Sequence, residues 1–202
     1  MFSEDLGKGA FRWTASDSFQ PLPALPNETL LAASSTSRGV SADGTRILGT
    51  YQTADDFLSC LWDAENGTRP LSDLPADLIE FAVTDVSPDG TRAVGYGRDP
   101  TSASFTGMLW VEGVGITFLD RDASFTATSM YADGSILGSD SLAGAVAIWT
   151  EETGVAVFLA ALGLDIEGWS FDSIQGFVDD GLTFVGSSTS HDFRQRPRTS
   201  VV

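Results

Sequence analysis

Residues 40–49 read Val-Ser-Ala-Asp-Gly-Thr-Arg-Ile-Leu-Gly, and residues 86–95 read Val-Ser-Pro-Asp-Gly-Thr-Arg-Ala-Val-Gly. The frame returns more loosely at 130–138 (Met-Tyr-Ala-Asp-Gly-Ser-Ile-Leu-Gly) and at 177–186 (Phe-Val-Asp-Asp-Gly-Leu-Thr-Phe-Val-Gly). Its Asp-Gly pairs, Asp43-Gly44, Asp89-Gly90, Asp133-Gly134 and Asp180-Gly181, follow one another at 46, 44 and 47 residues. A second glycine follows each pair, at Gly49, Gly95, Gly138 and Gly186. Tryptophan comes next at Trp62, Trp110 and Trp149, and Trp13 stands in a half-repeat before the first turn. Several features recurring in one order at a fixed period are the signature of a repeat architecture.

Each unit translates into strands. The stretch before Asp-Gly is apolar and β-prone, as in Thr84-Asp85-Val86. Asp-Gly predicts a two-residue hairpin turn, because glycine accepts positive φ and aspartate bonds its own backbone. The stretch after it, such as Leu182-Thr183-Phe184-Val185, alternates like a second strand. The glycine ending that strand marks a bulge or a close backbone approach. The tryptophan segment is a third strand. A polar turn such as Glu65-Asn66-Gly67 leads to a short fourth strand such as Arg69-Pro70-Leu71. Four antiparallel strands per 45 or so residues is the period of a propeller blade. Helix signals are weak, and Ala160–Leu164 is expected to form one short turn at most.

The expected fold is therefore all-β: a β-propeller of four to five blades, each a four-stranded antiparallel sheet. The chain is one repeat domain over 1–202, with a half unit at 9–25 and units at about 37–75, 82–120, 126–160 and 171–202. The half unit carries third and fourth strands, and the last unit carries the first three. Phe19–Leu25 could supply the strand the last unit lacks. Two readings stay open: closure by strands from both ends, or an incomplete propeller that is one piece of a longer array.

Composition narrows the function classes. The chain has 202 residues, 42% of them hydrophobic and 19% charged, which is globular rather than disordered. No run of about 18 apolar residues occurs, so membrane insertion is not expected. Met1–Ala10 has no apolar core of a secretory signal. The net charge of −17 repels phosphate backbones, which argues against nucleic acid as a partner. Cys60 is the single cysteine, expected to pack as a small hydrophobe, and it forms no internal disulfide.

The repeat resembles the HAF-type extracellular repeat family of bacteria. In that family a Ser-x-Asp-Gly turn leads to an apolar strand ending in Val-Gly. A His-Ala-Phe or similar element then runs into Arg-Trp or Leu-Trp, and a Leu-Pro segment closes the unit. Here Val40–Gly49 matches the first half, Gly9-Ala10-Phe11-Arg12-Trp13-Thr14 the second, and Leu71–Pro75 the closing segment. His191-Asp192-Phe193-Arg194 stands where the His-Ala-Phe element belongs, with Gln195 in place of tryptophan. The resemblance spans essentially the whole chain and implies a propeller-like fold and an extracellular or cell-surface location. Ser87-Pro88-Asp89-Gly90-Thr91-Arg92 is also similar to TolB-type propeller repeats, and implies the same fold class.

The residues offer little chemistry. A calcium loop needs several oxygen ligands in one short loop, and no Asp-Gly turn here carries such a run. The turn glycines Gly44, Gly90, Gly134 and Gly181 and the strand residues Trp13, Trp62, Trp110 and Trp149 read as structural, the tryptophans as packing between blades. Trp169 lies off that register and is a candidate ligand-facing aromatic. His191, the only histidine, is the other ligand-facing candidate; a general base would need a partner and a pocket, so it reads as structural or exposed rather than catalytic. The pairs Asp55-Asp56 and Asp179-Asp180 point to opposite faces of a strand and make a poor glycosidase pair. No catalytic, cofactor or metal residue is nominated. Arg194-Gln195-Arg196-Pro197-Arg198 forms a basic tail on an acidic chain, suited to solvent or an acidic surface. The expectation is a non-enzymatic, repeat-built binding or surface scaffold protein, monomeric, without cofactor, with a protein or glycan partner. The alternative is a carbohydrate-binding or carbohydrate-active propeller.

Overall fold

The computed structural model describes residues 9–23, 25, 34–52, 57–75, 78, 80–98, 105–120, 125–161, 163, 169–177 and 184–190. The chain opens with a two-stranded antiparallel pair, β1 (Phe11–Thr14) and β2 (Ser18–Pro21). Three four-stranded meanders follow. The first is β3 (Ser34–Val40), β4 (Arg46–Gln52), β5 (Phe57–Asp63) and β6 (Gly67–Pro70). The second is β7 (Glu80–Val86), β8 (Arg92–Arg98), β9 (Phe105–Val111) and β10 (Gly115–Phe118). The third is β11 (Phe125–Met130), β12 (Ile136–Asp140), β13 (Ala145–Thr150) and β14 (Gly154–Val157). A single helical turn, α1 (Phe158–Ala161), leads toward a second two-stranded pair, β15 (Trp169–Phe177) and β16 (Phe184–Ser190). All strand pairs are antiparallel neighbours in sequence. The sheets begin one to three residues before the expected unit starts, because pairing with the second strand continues past the apolar stretch.

The Asp-Gly hairpins differ from the expected two-residue turns. A type I′ turn needs positive φ at both central residues. Only the glycines supply it: Gly44, Gly90 and Gly134 have φ of 70°, 71° and 88°, while the turn aspartates do not. The chain instead makes a wider loop. Gly44 N–H donates to the Ser41 carbonyl at 2.9 Å, and Ser41 N–H donates to the Arg46 carbonyl at 2.9 Å. Asp43 turns its carboxylate inward and accepts the Ser41 hydroxyl at 2.6 Å and the Thr45 N–H at 3.0 Å. Asp89 repeats this with Ser87 and Thr91, and Asp133 with Ser135. The Ser41 hydroxyl first, then the Thr45 amide, hold the Asp43 carboxyl down at about 2. Gly181 lies outside the described residues.

The second glycine does what its position predicts. A Cβ on Gly49, Gly95 or Gly138 would stand 2.1, 2.0 or 2.2 Å from the carbonyl oxygen of Thr36, Ala82 or Thr126. In each sheet the first strand bulges next to that point, between Ser37 and Gly39, Val83 and Asp85, and Ala127 and Ser129. The bulge brings a first-strand carbonyl over the second strand, and only glycine leaves it room.

The core lies between sheets. Leu48 and Leu61 of the first sheet pack with Phe81, Val83, Val86, Ala93, Met108 and Trp110 of the second. Val94 packs with Phe125, Ala127, Met130, Ile136 and Ala147 of the third. Leu137, Val146 and Phe158 then pack with Ile174 of β15. Middle sheets are covered on both faces, which is why Ala93-Val94-Gly95 and Met108-Leu109-Trp110 read as apolar runs rather than strict alternation.

Polar groups fasten neighbouring sheets. The Trp110 indole donates to the Ser72 carbonyl at 2.9 Å, and the Trp149 indole to the Leu119 carbonyl at 3.0 Å. The Ser59 hydroxyl donates to the Phe81 carbonyl, and the Thr84 hydroxyl to the Ala127 carbonyl. Arg46 reaches across to the Gly90 carbonyl at 3.0 Å and to both Glu112 oxygens at 2.8 and 2.6 Å. Asp85 accepts Val86 N–H at 2.8 Å and Met130 N–H at 2.9 Å, so one carboxylate closes the bulge and joins the next sheet. Burial pushes the Asp85 carboxyl up, against those two amides.

Candidate functional site

The tryptophans do not share one environment. Trp110 is 1% exposed and Trp149 packs half-buried on the third sheet. Trp13 departs from the expected core position and is 64% exposed. The reason is its place in the array. Trp110 and Trp149 pack against the sheet that precedes theirs, whereas β1 has no preceding sheet among the described residues.

Trp13 is one of three exposed aromatics on the β1–β2 pair. Phe11 and Phe19 stack with ring centroids 4.5 Å apart. The hairpin is docked on the first sheet by Ala10 N–H donating to the Ser35 hydroxyl at 2.8 Å and by the Thr68 hydroxyl donating to the Pro23 carbonyl at 2.5 Å. The Arg12 guanidinium lies 5.7 Å from the Trp62 ring centre, at cation–π range. Between β1 and β3 opens a cleft of about 280 Å³, lined by Phe11, Arg12, Trp13, Arg38, Val40 and Ile47. It joins an exposed indole to two arginines on a chain of net charge −17. Such a surface can stack a planar or apolar group, lay a strand against the β1 edge, and accept an anionic group.

Trp169 lies in β15. His191, the pairs Asp55-Asp56 and Asp179-Asp180, and the basic tail lie outside the described residues. Among the described residues no three of His, Cys, Asp and Glu converge as a metal-binding group. Cys60 is buried beside Leu25, Leu58 and Tyr51, and burial pushes its thiol up to about 12, so it is no nucleophile at neutral pH.

Reading the sequence missed the cleft and the Phe11–Phe19 pair. One signal was present. The first strand of the first sheet reads Ser-Ser-Thr-Ser at 34–37, where the second reads Glu-Phe-Ala-Val at 80–83. A polar first strand in an otherwise apolar series marks a face without a regular neighbour.

No family model matches the chain, and no curated protein matches it. Solved structures do. TolB from Acinetobacter baumannii aligns over 71% of this chain and 35% of its own, at 16% identity and a TM-score of 0.51. A structure from a study of two prolyl endopeptidases aligns over 85% of this chain and 28% of its own, at 14% identity and a TM-score of 0.56. The chain thus spans about a third of the length of these proteins. At such identity the likeness concerns the fold alone: an all-β chain of successive four-stranded antiparallel sheets, of the kind found in TolB-like β-propellers.

Proposed function

We propose that the chain is a non-enzymatic, propeller-type binding module whose contact surface is the β1–β2 face and the cleft beside β3. The observation that carries this reading is Trp13. Its equivalent Trp110 is buried and hydrogen-bonded, yet Trp13 is left in solvent beside Phe11, Phe19 and two arginines. Burying one such aromatic on a partner contributes roughly 1.5–3 kcal/mol, enough to anchor an interface. Asp43, Asp89 and Asp133 support the same reading, because each is held by donors of its own loop.

A glycan-binding reading is second, favoured by the exposed indole alone. The resemblance to HAF-type repeats supports a surface or extracellular setting, which fractionation of cells carrying the tagged chain would test. The function itself is tested with a glycan array and with turnover of polysaccharides and prolyl peptides. Absence of turnover, with wild-type folding, is expected. A glycan signal lost in Trp13→Ala would put the second reading first, and saturable turnover would overturn both.

A further inference from the structure

Among the described residues the chain carries two half-sheets, and each holds the strand positions that the other does not. β15 and β16 hold the positions of first and second strands, while β1 and β2 hold those of third and fourth. In all three full sheets the second strand meets the third in one register. The residue two before the repeat glycine pairs with the tryptophan: Ile47 with Trp62, Ala93 with Trp110, Ile136 with Trp149. Applied to the half-sheets, this register sets Phe184 opposite Trp13, Val185 opposite Arg12, and Gly186 opposite Phe11.

Two further positions show the same gap from opposite sides. Val40 is 57% exposed, while its register equivalents Val86 and Met130 are 6% and 9% exposed. Those equivalents are covered by the sheet that precedes theirs. The cleft of about 280 Å³ next to Val40 lies where a preceding sheet's inner strands would sit. On the other side, Val185 is 64% exposed, while its equivalents Leu48, Val94 and Leu137 are 0%, 0% and 1% exposed. Those equivalents pack on the first strand of the sheet that follows. Val185 wants a first strand after it, and Val40 wants a second strand before it.

We propose that the β1–β2 and β3 face and the β15–β16 edge are two halves of one joint, filled by a second copy of this chain. The inference rests on the reading of this face as a contact surface and names its partner. Within the described residues β1 and β16 belong to separate sheets. The three full sheets between them are tied to one another by Arg46–Glu112, Asp85–Met130, Trp110–Ser72 and Trp149–Leu119, in the arrangement that leaves β1 and β16 unpaired with each other. A second copy can pair with both edges while these contacts stay as they are. Among the described residues, three full sheets and two halves amount to four sheets per chain. Two copies related by a two-fold axis then close a ring of eight, within the roughly 4–8 blades that propellers use. The joint is more polar than those inside the chain, because Ser35 and Ser37 stand where Phe81 and Val83, or Phe125 and Ala127, stand in the next sheets. Two chains of −17 also repel each other. Assembly is therefore reversible, and added salt strengthens it by screening.

The test uses the full chain. Arg12→Cys and Val185→Cys are made separately, mixed and oxidised; buried Cys60 serves as the unreactive control. A disulfide between the two variants is expected, and none when Phe19→Cys on β2 replaces Arg12→Cys. Light scattering is expected to give twice the 21.4 kDa chain mass at high protein and salt, falling to one on dilution. A cross-link formed only within the double variant Arg12→Cys/Val185→Cys, at the mass of one chain, overturns the proposal in favour of self-closure. A cross-link within the double variant Val185→Cys/Arg194→Cys overturns it in favour of the tail, whose sequence aligns with a third strand. No cross-link and a constant single-chain mass also overturn it. If Trp13→Ala then still abolishes binding to a glycan, the contact-surface reading survives without self-assembly.

Discussion

Gly95→Ala is the sharpest probe of the repeat. The new Cβ would stand 2.0 Å from the Ala82 oxygen and 2.8 Å from its carbon. An ordinary carbon–oxygen contact is no shorter than about 3.2 Å, so one of the two strands must move by about 1 Å. β7 cannot move freely, because Asp85 and Thr84 tie its bulge to Met130 and Ala127. Overpacking of this kind costs about 1–3 kcal/mol. One or two weakened ladder bonds add about 1 kcal/mol each. The lower chain entropy of alanine returns about 0.4–1 kcal/mol. The net loss is about 3 kcal/mol. Gly113→Ala is the control: its φ is 74°, nothing lies within 4 Å of the added methyl, and only the left-handed backbone is strained, at about 1–2 kcal/mol. Urea titration followed by tryptophan fluorescence separates the two. With an m-value of about 3 kcal/mol/M, Gly95→Ala lowers the midpoint by about 1 M. Equal midpoints for Gly95→Ala and Gly113→Ala would refute the account of the second glycine as a site of backbone contact.

Other substitutions test the fasteners. Trp110→Phe, losing the bond to Ser72 and part of a buried ring, is expected to cost about 2 kcal/mol in thermal or urea unfolding, whereas Trp13→Phe leaves dilute protein within about 0.5 kcal/mol of wild type. Arg46→Met removes a partly exposed ion pair, so calorimetry should show a loss of only about 1 kcal/mol, shrinking in 1 M salt. The pH profile has two opposing parts. Asp43 and Asp89 sit at about 2 when folded, so the stability they give is full above their unfolded value near 4 and is lost as pH falls toward 2. Asp85 is raised, so between its unfolded and folded values the native state binds the extra proton, and stability falls as pH rises through that window. Asp85→Asn should abolish that second component, visible in melting curves from pH 3 to 8. It should also cost about 1–3 kcal/mol at neutral pH, because Val86 and Met130 N–H are accepted by different carboxylate oxygens, and in asparagine one of those oxygens becomes an NH2 donor facing an N–H.

The repeat, its strands and most of its special residues are legible in the sequence. Asp-Gly marks a turn whatever surrounds it, because positive φ and side-chain capping are local. Gly49, Gly95 and Gly138 marked a close approach because the missing side chain is itself the signal. The turn length was not legible: Ser41 and Ser87, which accept and donate across each loop, look like ordinary serines until Arg46 and Arg92 come round to meet them. The environment of each tryptophan was not legible either. Trp13 and Trp110 stand in the same local pattern, and one is in water while the other is buried. That difference, like the exposure of Val40 and Val185, depends on which sheet lies alongside. Local patterning sets what a strand can bury, and only the stacking of sheets decides which strands find a neighbour to bury it against.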